Sequence, residues 1–438
     1  MSAKAVPARV CLMRCSDYSE NEVAKAILKG LKIMNTEIHG RVVIKPNLVF
    51  AHAQKAPSAY TRPEVVAGLL EGIRGPDVSG VSIVEKSGVG VSTHVMFRRA
   101  GYRMLAERYG VDLCPLEEEE KRRVPLEQGR VHQSLLLSKK MLEADTLIFM
   151  PKLKSNVLAH GLTAALKLNI GSLDDRERMW HHDHLLDEKI VDILSVVYPQ
   201  LVVSDAVEIA MGGNQMTEHG HALGLIILAD NPLAHDLVAA RLLHLDPADI
   251  GHLQAAIRRG FTPANPDEIE IIGDYPVEEI MAKTAGIATG MMRVEEFASP
   301  LKIRCGTPYC TGGCQGIFLD WLHMLKDRSP ERLGRLPEIP VIIGQTEEEI
   351  TAPRLLLIGD CAIRSLHLHG KRLEIAGCPP THRDLILQMA LKTRVLAPFV
   401  RADLIWDAYA IYPWRKWLKR RNRHQGEGDA TEGPPWSS

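Results

Sequence analysis

The stretch RVVIKPNLV, residues 41–49, sets three β-branched residues in a row ahead of Lys45, Pro46 and Asn47. β-Branched side chains fit a pleated, packed surface, and Pro and Asn close the run in a turn. An apolar run without alternation reads as a strand buried on both faces. The same pattern recurs in VSGVSIVEKSG (78–88), ADTLIFMPKLKSN (144–156), PQLVVSDAVE (199–208) and ALGLIILADNP (222–232). Helical patterns fall between them, at 63–73, 189–197 and 233–243. The alternation predicts an α/β fold, with mostly parallel sheet covered by helices. Ligands collect at the carboxyl ends of such strands. The polar residues that follow the apolar runs are therefore the first candidates: Lys45, Asn47, Glu85, Lys86, Lys152, Lys154, Asp205 and Asp230.

The chain has 438 residues, with 53 Lys and Arg against 54 Asp and Glu. That balance gives no global field for nucleic acid, which is not expected as a partner. The N-terminus lacks the apolar run of a signal peptide, and no run of about 18 apolar residues exists to span a bilayer. A cytoplasmic protein is expected. Composition divides the chain into an α/β domain (1–290), a smaller cysteine-rich α/β segment (301–396) and an aromatic, basic tail (397–438). The end of the tail is Gly-, Pro- and Ser-rich and is expected to be disordered. Before it, Trp406, Tyr409, Tyr412, Trp414 and Trp417 are interleaved with Arg415, Lys416, Lys419, Arg420, Arg421 and Arg423. This pattern suits contact with an anionic membrane surface, which would make the protein membrane-peripheral. It equally suits packing on the protein itself or on an electron-transfer partner.

Five of the eight cysteines lie after residue 300. RCGTPYCTGGCQG, residues 304–316, holds Cys305, Cys310 and Cys314 in a Gly-, Thr- and Pro-rich stretch that can wrap an inorganic centre and would hardly sustain a helix. PRLLLIGDCA (353–362) reads as a strand that delivers Cys361, and KRLEIAGCPP (371–380) as one that delivers Cys378. If these strands are parallel neighbours, both thiols emerge at one rim. Cys378 also precedes a helix N-terminus, which favours a thiolate or an anionic cluster. Clustered thiols in such a chain point to metal or redox chemistry. Zinc knuckles present CxxC pairs, which are missing, so an iron–sulfur cluster of the 4Fe–4S type fits better, with zinc as the alternative. Cys305 is the first choice for the extra thiol. Cys11, Cys15 and Cys114 read as buried small residues.

Lysines dominate the first 290 residues: Lys45 in IKPN, Lys152 and Lys154 in MPKLKSN, Lys167 ahead of Asn169 in AALKLNIGS, and Lys86 before a Gly-rich turn. Together with LVVSDAVEIAMGGN and ILADNPLAHDLVAARLL, these segments resemble, in order over about residues 40–260, the domain of unknown function 362 family. That family is prokaryotic and its chemistry is poorly defined. The resemblance implies an iron–sulfur segment, which many members carry. It carries over Lys45, Pro46, Asn47, Lys152, Lys154, Thr163, Lys167, Asn169, Asp205, Gly212, Gly213, Asn214, Asp230, Pro232 and Asp236. The chain departs from the pattern at Gln215-Met216 and at His235.

Histidines add acid–base candidates, with His160 first and His184 next, and RMWHHDHLLDEK offers a metal-binding alternative. The resulting expectation is an iron–sulfur oxidoreductase or electron-transfer protein acting on a small anionic substrate or a partner protein. In it His160, Lys152 and Lys167 would serve catalysis. Lys45, Asn47, Lys154, Asn169, Asp205, Asn214 and Asp230 would bind the anion, and Cys305, Cys310, Cys314, Cys361 and Cys378 would hold metal. The alternatives are a non-redox metal-dependent lyase or isomerase, and a protein that matures or hands on clusters.

Overall fold

A computed structural model describes residues 7–53, 56–73, 75–155, 161–211, 219–287, 292–398, 406–415 and 417–418. His160, Asn214 and the end of the tail, 419–438, lie outside the described residues.

The predicted runs form strands: β1 (Ala8–Arg14), β2 (Gly40–Pro46), β3 (Val78–Glu85) and β4 (Asp112–Pro115). A side ribbon of β5 (Lys121–Pro125) and β6 (Ser134–Ser138) follows. Then come β7 (Thr146–Met150), β8 (Lys152–Lys154), β9 (Leu201–Met211), β10 (His219–Ala229) and β11 (Ile269–Gly273). Apart from the ribbon they make one sheet in the order β11-β1-β10-β9-β7-β2-β3-β4, with β8 beside β9. Only the ladders on either side of β10 are antiparallel. Alternate residues of each strand enter different cores. Val10, Leu12 and Val43 face one, while Cys11, Met13, Val42 and Ile44 face the other beneath the helices Glu20–Met34 and Pro63–Gly72. Cys11, Cys15 and Cys114 are all buried.

Two strand-end expectations are corrected here. β10 runs against its neighbours, so Asp230 emerges at the rim opposite Lys45 and Lys152, where it pairs with Arg9 at 3.0 Å. An apolar run carries no mark of its direction, and a strand that follows its neighbour within a few residues pairs antiparallel. Asp205, in turn, does not end its strand. β9 continues to Met211, and Asp205 lies opposite Lys152 of β8.

The cysteine-rich segment forms a second sheet of β12 (Lys302–Cys305), β13 (Pro340–Ile343), β14 (Ile350–Ile358) and β15 (Leu368–Ile375), in that order and wholly parallel. β14 and β15 are neighbours, with Ile358 opposite Ile375. Cys361 and Cys378 therefore leave the same rim. The expectation that 304–316 resists helix formation holds only up to Gly313. Cys314 opens a helix that runs to Arg328 and buries Phe318, Trp321, Leu322 and Leu325. Those residues, with Val341, Ile343, Leu356 and Ile358, join the same apolar core that Val10 and Phe149 enter. The two sheets thus share one core.

Buried polar anchors fix the loops between them. Asp192 is fully buried and accepts hydrogen bonds from the backbone N–H groups of Arg130 (3.0 Å), Val131 (2.8 Å) and His132 (2.8 Å), and from Arg259 Nη1 (2.7 Å). Burial alone would push this carboxyl up. The neighbouring His132 side chain and the three N–H donors override it and hold the carboxyl below the usual carboxylate range. A depressed carboxyl adds stability above its unfolded pKa of about 3.9, and that stability disappears as pH falls through the folded value. Asp192→Asn removes the nearer anion of Arg259, which keeps Glu188 at 3.8 Å, and weakens the three backbone bonds, so it should cost about 1–3 kcal/mol at neutral pH, measured by urea unfolding. The gap to wild type should narrow below about pH 4. A gap that stays constant with pH would contradict this account.

Candidate functional site

The lysines sit at the rim the strands predict, but most of their charge is already answered. Lys45 ends β2 and Glu85 ends the adjacent β3. Lys45 Nζ lies 3.0 Å from each Glu85 carboxylate oxygen, and both side chains are buried. Glu85 also accepts from the N–H groups of Lys86 (2.8 Å) and Leu48 (3.2 Å). Burial pulls Lys45 down and pushes Glu85 up, against their mutual attraction. Gly171 closes over the pair, and a Cβ there would stand 2.6 Å from Glu85 Oε1 and 2.7 Å from Lys45 Nζ. Lys152 repeats the device. Its Nζ donates to Asp205 Oδ1 at 3.0 Å and to Tyr18 Oη at 2.7 Å, while Tyr18 Oη donates to Asp205 at 2.8 Å. Burial again lowers the lysine. Lys154 Nζ donates to the Ala59 carbonyl at 2.9 Å.

Beside these pairs, Asn47 Nδ2, Thr163 Oγ1, Asn169 Oδ1 and Ser172 Oγ are buried and find no hydrogen-bond partner among the described residues. Asn169 spends its Nδ2 on the Ile190 carbonyl at 3.0 Å. A buried polar atom left unpaired is costly, so such atoms mark places where a ligand or ordered water belongs. Lys167, half-buried, opens the same turn.

Two basic residues that the sequence reading passed over shape the next loop. Lys189 is buried and donates to the carbonyls of Glu177 (2.6 Å), Arg178 (2.9 Å) and Trp180. Burial, with Arg178 nearby, lowers it to about 7. Arg178 reaches the carbonyls of Lys86 (3.2 Å) and Ser87 (3.0 Å). Their partners are backbone carbonyls, which no sequence pattern marks. The loop they pin carries His181 to His184. His182 is buried with Nδ1 unpartnered, and burial and the surrounding cations Lys189, Lys167 and Arg178 hold it well below the usual histidine range. His184 is half exposed, 3.7 Å from Asp183.

That loop abuts the cysteines. A Cβ on Gly312 would stand 2.5 Å from the Asp183 carbonyl oxygen, and one on Gly313 would stand 2.7 Å from Cys310 Sγ. Across the gap, a Cβ on Gly359 would stand 2.5 Å from Cys314 Sγ, so that thiol reaches the turn that leads to Cys361. Gly359 has φ +90°, and its N–H bonds the Ile375 carbonyl. The Asp360 carboxylate accepts from the Gly377 N–H at 2.7 Å, which ties the ends of β14 and β15 together. Burial, then Cys310, Cys378 and Cys361, push the Cys314 thiol up. Burial and Asp183, with Cys378 adding, push Cys310 up to about 12. Cys314 thus has Cys310, Cys378 and Cys361 around it. The Cys305 thiol, pushed up by burial and then by Glu295, also lies beside Gln315, whose Oε1 accepts from the Cys310 N–H at 2.8 Å.

Among the described residues no three His, Cys, Asp or Glu side chains close on a single-ion position. Gly313 and Gly359 leave room beside the Cys310 and Cys314 thiols where side chains would intrude.

Residues 42–241 match the family model described as Domain of unknown function (DUF362). Thylakoid-associated protein sll1697 of Synechocystis is 26% identical over 269 residues, covering 58% of this chain and 80% of that protein. The solved lactate racemase apoprotein of Thermoanaerobacterium thermosaccharolyticum aligns with a TM-score of 0.35 at 12% identity, over 78% of this chain and 69% of that one. The paired lysines, Asn47 and Asn169 all lie inside the span, residues 42–241, over which the chain is similar to this family.

Proposed function

We propose that this chain is an iron–sulfur electron-transfer protein or oxidoreductase. Cys310, Cys314, Cys361 and Cys378 would hold a 4Fe–4S cluster, and the rim of the larger sheet would bind a small anionic substrate. When bound, such a cluster supplies or accepts one electron at a time. The observation that supports the reading is that Cys314 lies among Cys310, Cys361 and Cys378, on three neighbouring turns. The chain's own contribution is to shield the centre. Asp183 and the Gly312-Gly313 turn cover it from the side of the larger sheet, and the raised thiols release protons as metal binds.

The anion site falls to Asn47, Ser172 and Thr163, with Lys154 and Lys167. The unpartnered Asn47 Nδ2 and the two hydroxyls, which can donate, support this, whereas the unpartnered Asn169 Oδ1 accepts and suits a donor group of the substrate. Lys45 and Lys152 hold buried carboxylates and act as positioning residues. The relative named as thylakoid-associated supports a setting at a membrane surface. Among the described residues no helix is long and apolar enough to cross one.

Two experiments test the reading. Cys310→Ser, Cys314→Ser, Cys361→Ser and Cys378→Ser should each lose most of the iron bound on anaerobic purification, while Cys305→Ser and Cys114→Ser keep it. Equal iron in all six variants, or zinc alone in wild type, would reject the cluster. Lys152→Met should lower stability by about 3 kcal/mol, because it leaves the buried Asp205 carboxylate without its cation, with only Tyr18 Oη and the Arg62 N–H as donors. Adding Asp205→Asn should restore part of the loss. Full stability in the single variant, with loss of anion binding only, would make Lys152 a direct ligand.

A further inference from the structure

The helix His382–Thr393 turns Leu385 and Met389 into the core. On another side it exposes Leu387 at 44% and Leu391 at 68%, one helical turn apart. Arg383, one turn earlier on that stripe, has its guanidinium carbon 5.0 Å from the centre of the Tyr409 ring. That contact sets Tyr409 at the N-terminal end of the helix that carries the leucine stripe.

The segment has an inner and an outer side. Inward, Tyr412 is buried, its hydroxyl bonds the Asp175 carboxylate, and its ring lies 5.3 Å from Lys86 Nζ. Arg415 Nε lies 3.1 Å from Glu118 Oε1. Both anchors belong to the larger sheet's side of the molecule. Outward, Trp406, Tyr409, Trp414 and Trp417 are 65%, 47%, 57% and 51% exposed. Tail packing on the protein's own body thus accounts for Tyr412 and Arg415, and leaves much of the other aromatics and of both leucines exposed. Several large apolar side chains exposed on one part of a surface mark an interaction face.

We propose that this face, the Leu387–Leu391 stripe together with the outward aromatics of residues 406–417, docks on an anionic bilayer surface. Trp and Tyr combine an apolar body with a polar N–H or O–H, which suits the headgroup boundary. The sequence places six cations between Arg415 and Arg423 and no acidic residue between Asp407 and Glu427. The inference rests on the membrane setting proposed above and is independent of the cluster.

The test is flotation of the full-length protein with vesicles of phosphatidylcholine containing about one-third phosphatidylserine, at low and high salt. Wild type should float with these vesicles, less at high salt and less with phosphatidylcholine alone. The triple variant Leu391→Ser, Trp414→Ala, Trp417→Ala should lose at least about tenfold in bound fraction, with an unchanged melting curve and iron content. If wild type and the triple variant float equally, the face is wrong and the membrane setting stands. If wild type stays unbound at low salt, the membrane setting fails too. A wild-type dimer that the triple variant converts to monomer would make the occupant a second copy and overturn the proposal. Should the triple variant melt early, Leu387→Ser alone is read in its place, with the same two outcomes.

Discussion

Two glycines side by side, Gly312 and Gly313, let the cysteine loop lie directly on the backbone of Asp183. Any side chain at Gly312 would meet the Asp183 carbonyl and Leu186. One at Gly313 would meet Cys310 Sγ. This backbone-on-backbone approach is what brings the smaller sheet's rim against the loop that leaves the larger sheet. The thiols of Cys310 and Cys314, the neutral imidazole of His182 and the unpartnered atoms around Asn169 all depend on it for their relative positions. Lys189 supports the contact from beneath, because its three carbonyl bonds shape the turn from Glu177 to Trp180 that leads into the loop.

The lysine rim shows how burial changes the meaning of a charged residue. A lysine at the carboxyl end of a parallel strand reads as an anion-binding group. Lys45 and Lys152 each meet a buried carboxylate from the neighbouring strand instead, and the pairs are more expensive to break than to keep. Their function is to hold the rim in one arrangement. The neutral groups that lack a partner among the described residues are a donor on Asn47, an acceptor on Asn169 and the hydroxyls of Thr163 and Ser172. A small anion that also carries a hydrogen-bond donor, with Lys154 and Lys167 close by, is compatible with that inventory.

How far the sequence could be read follows from where each partner lies. The strands were legible because RVVIKPNLV and its counterparts are β-branched runs closed by turn residues. The strand-end positions of Cys361 and Cys378 were legible because each follows a strand and a glycine. The direction of β10 was not, since an apolar run has the same composition either way, and Asp230 was assigned to the wrong rim as a result. The pairing of Lys45 with Glu85 and of Lys152 with Asp205 joins residues 40 and 53 positions apart, which no local pattern links. Lys189 and Arg178 bind backbone carbonyls, and these leave no trace in side-chain identity. The helix that begins at Cys314 was missed because the glycines before it dominated the reading of the apolar residues after it.

The central claim is that four thiols gathered at this contact hold an iron–sulfur cluster. Iron and acid-labile sulfide analysis of anaerobically purified protein, with electron paramagnetic resonance after dithionite reduction, tests it most directly. The account predicts about four iron and four sulfide per chain, with a paramagnetic signal that appears on reduction. A colourless protein with about one zinc per chain and no sulfide would contradict it.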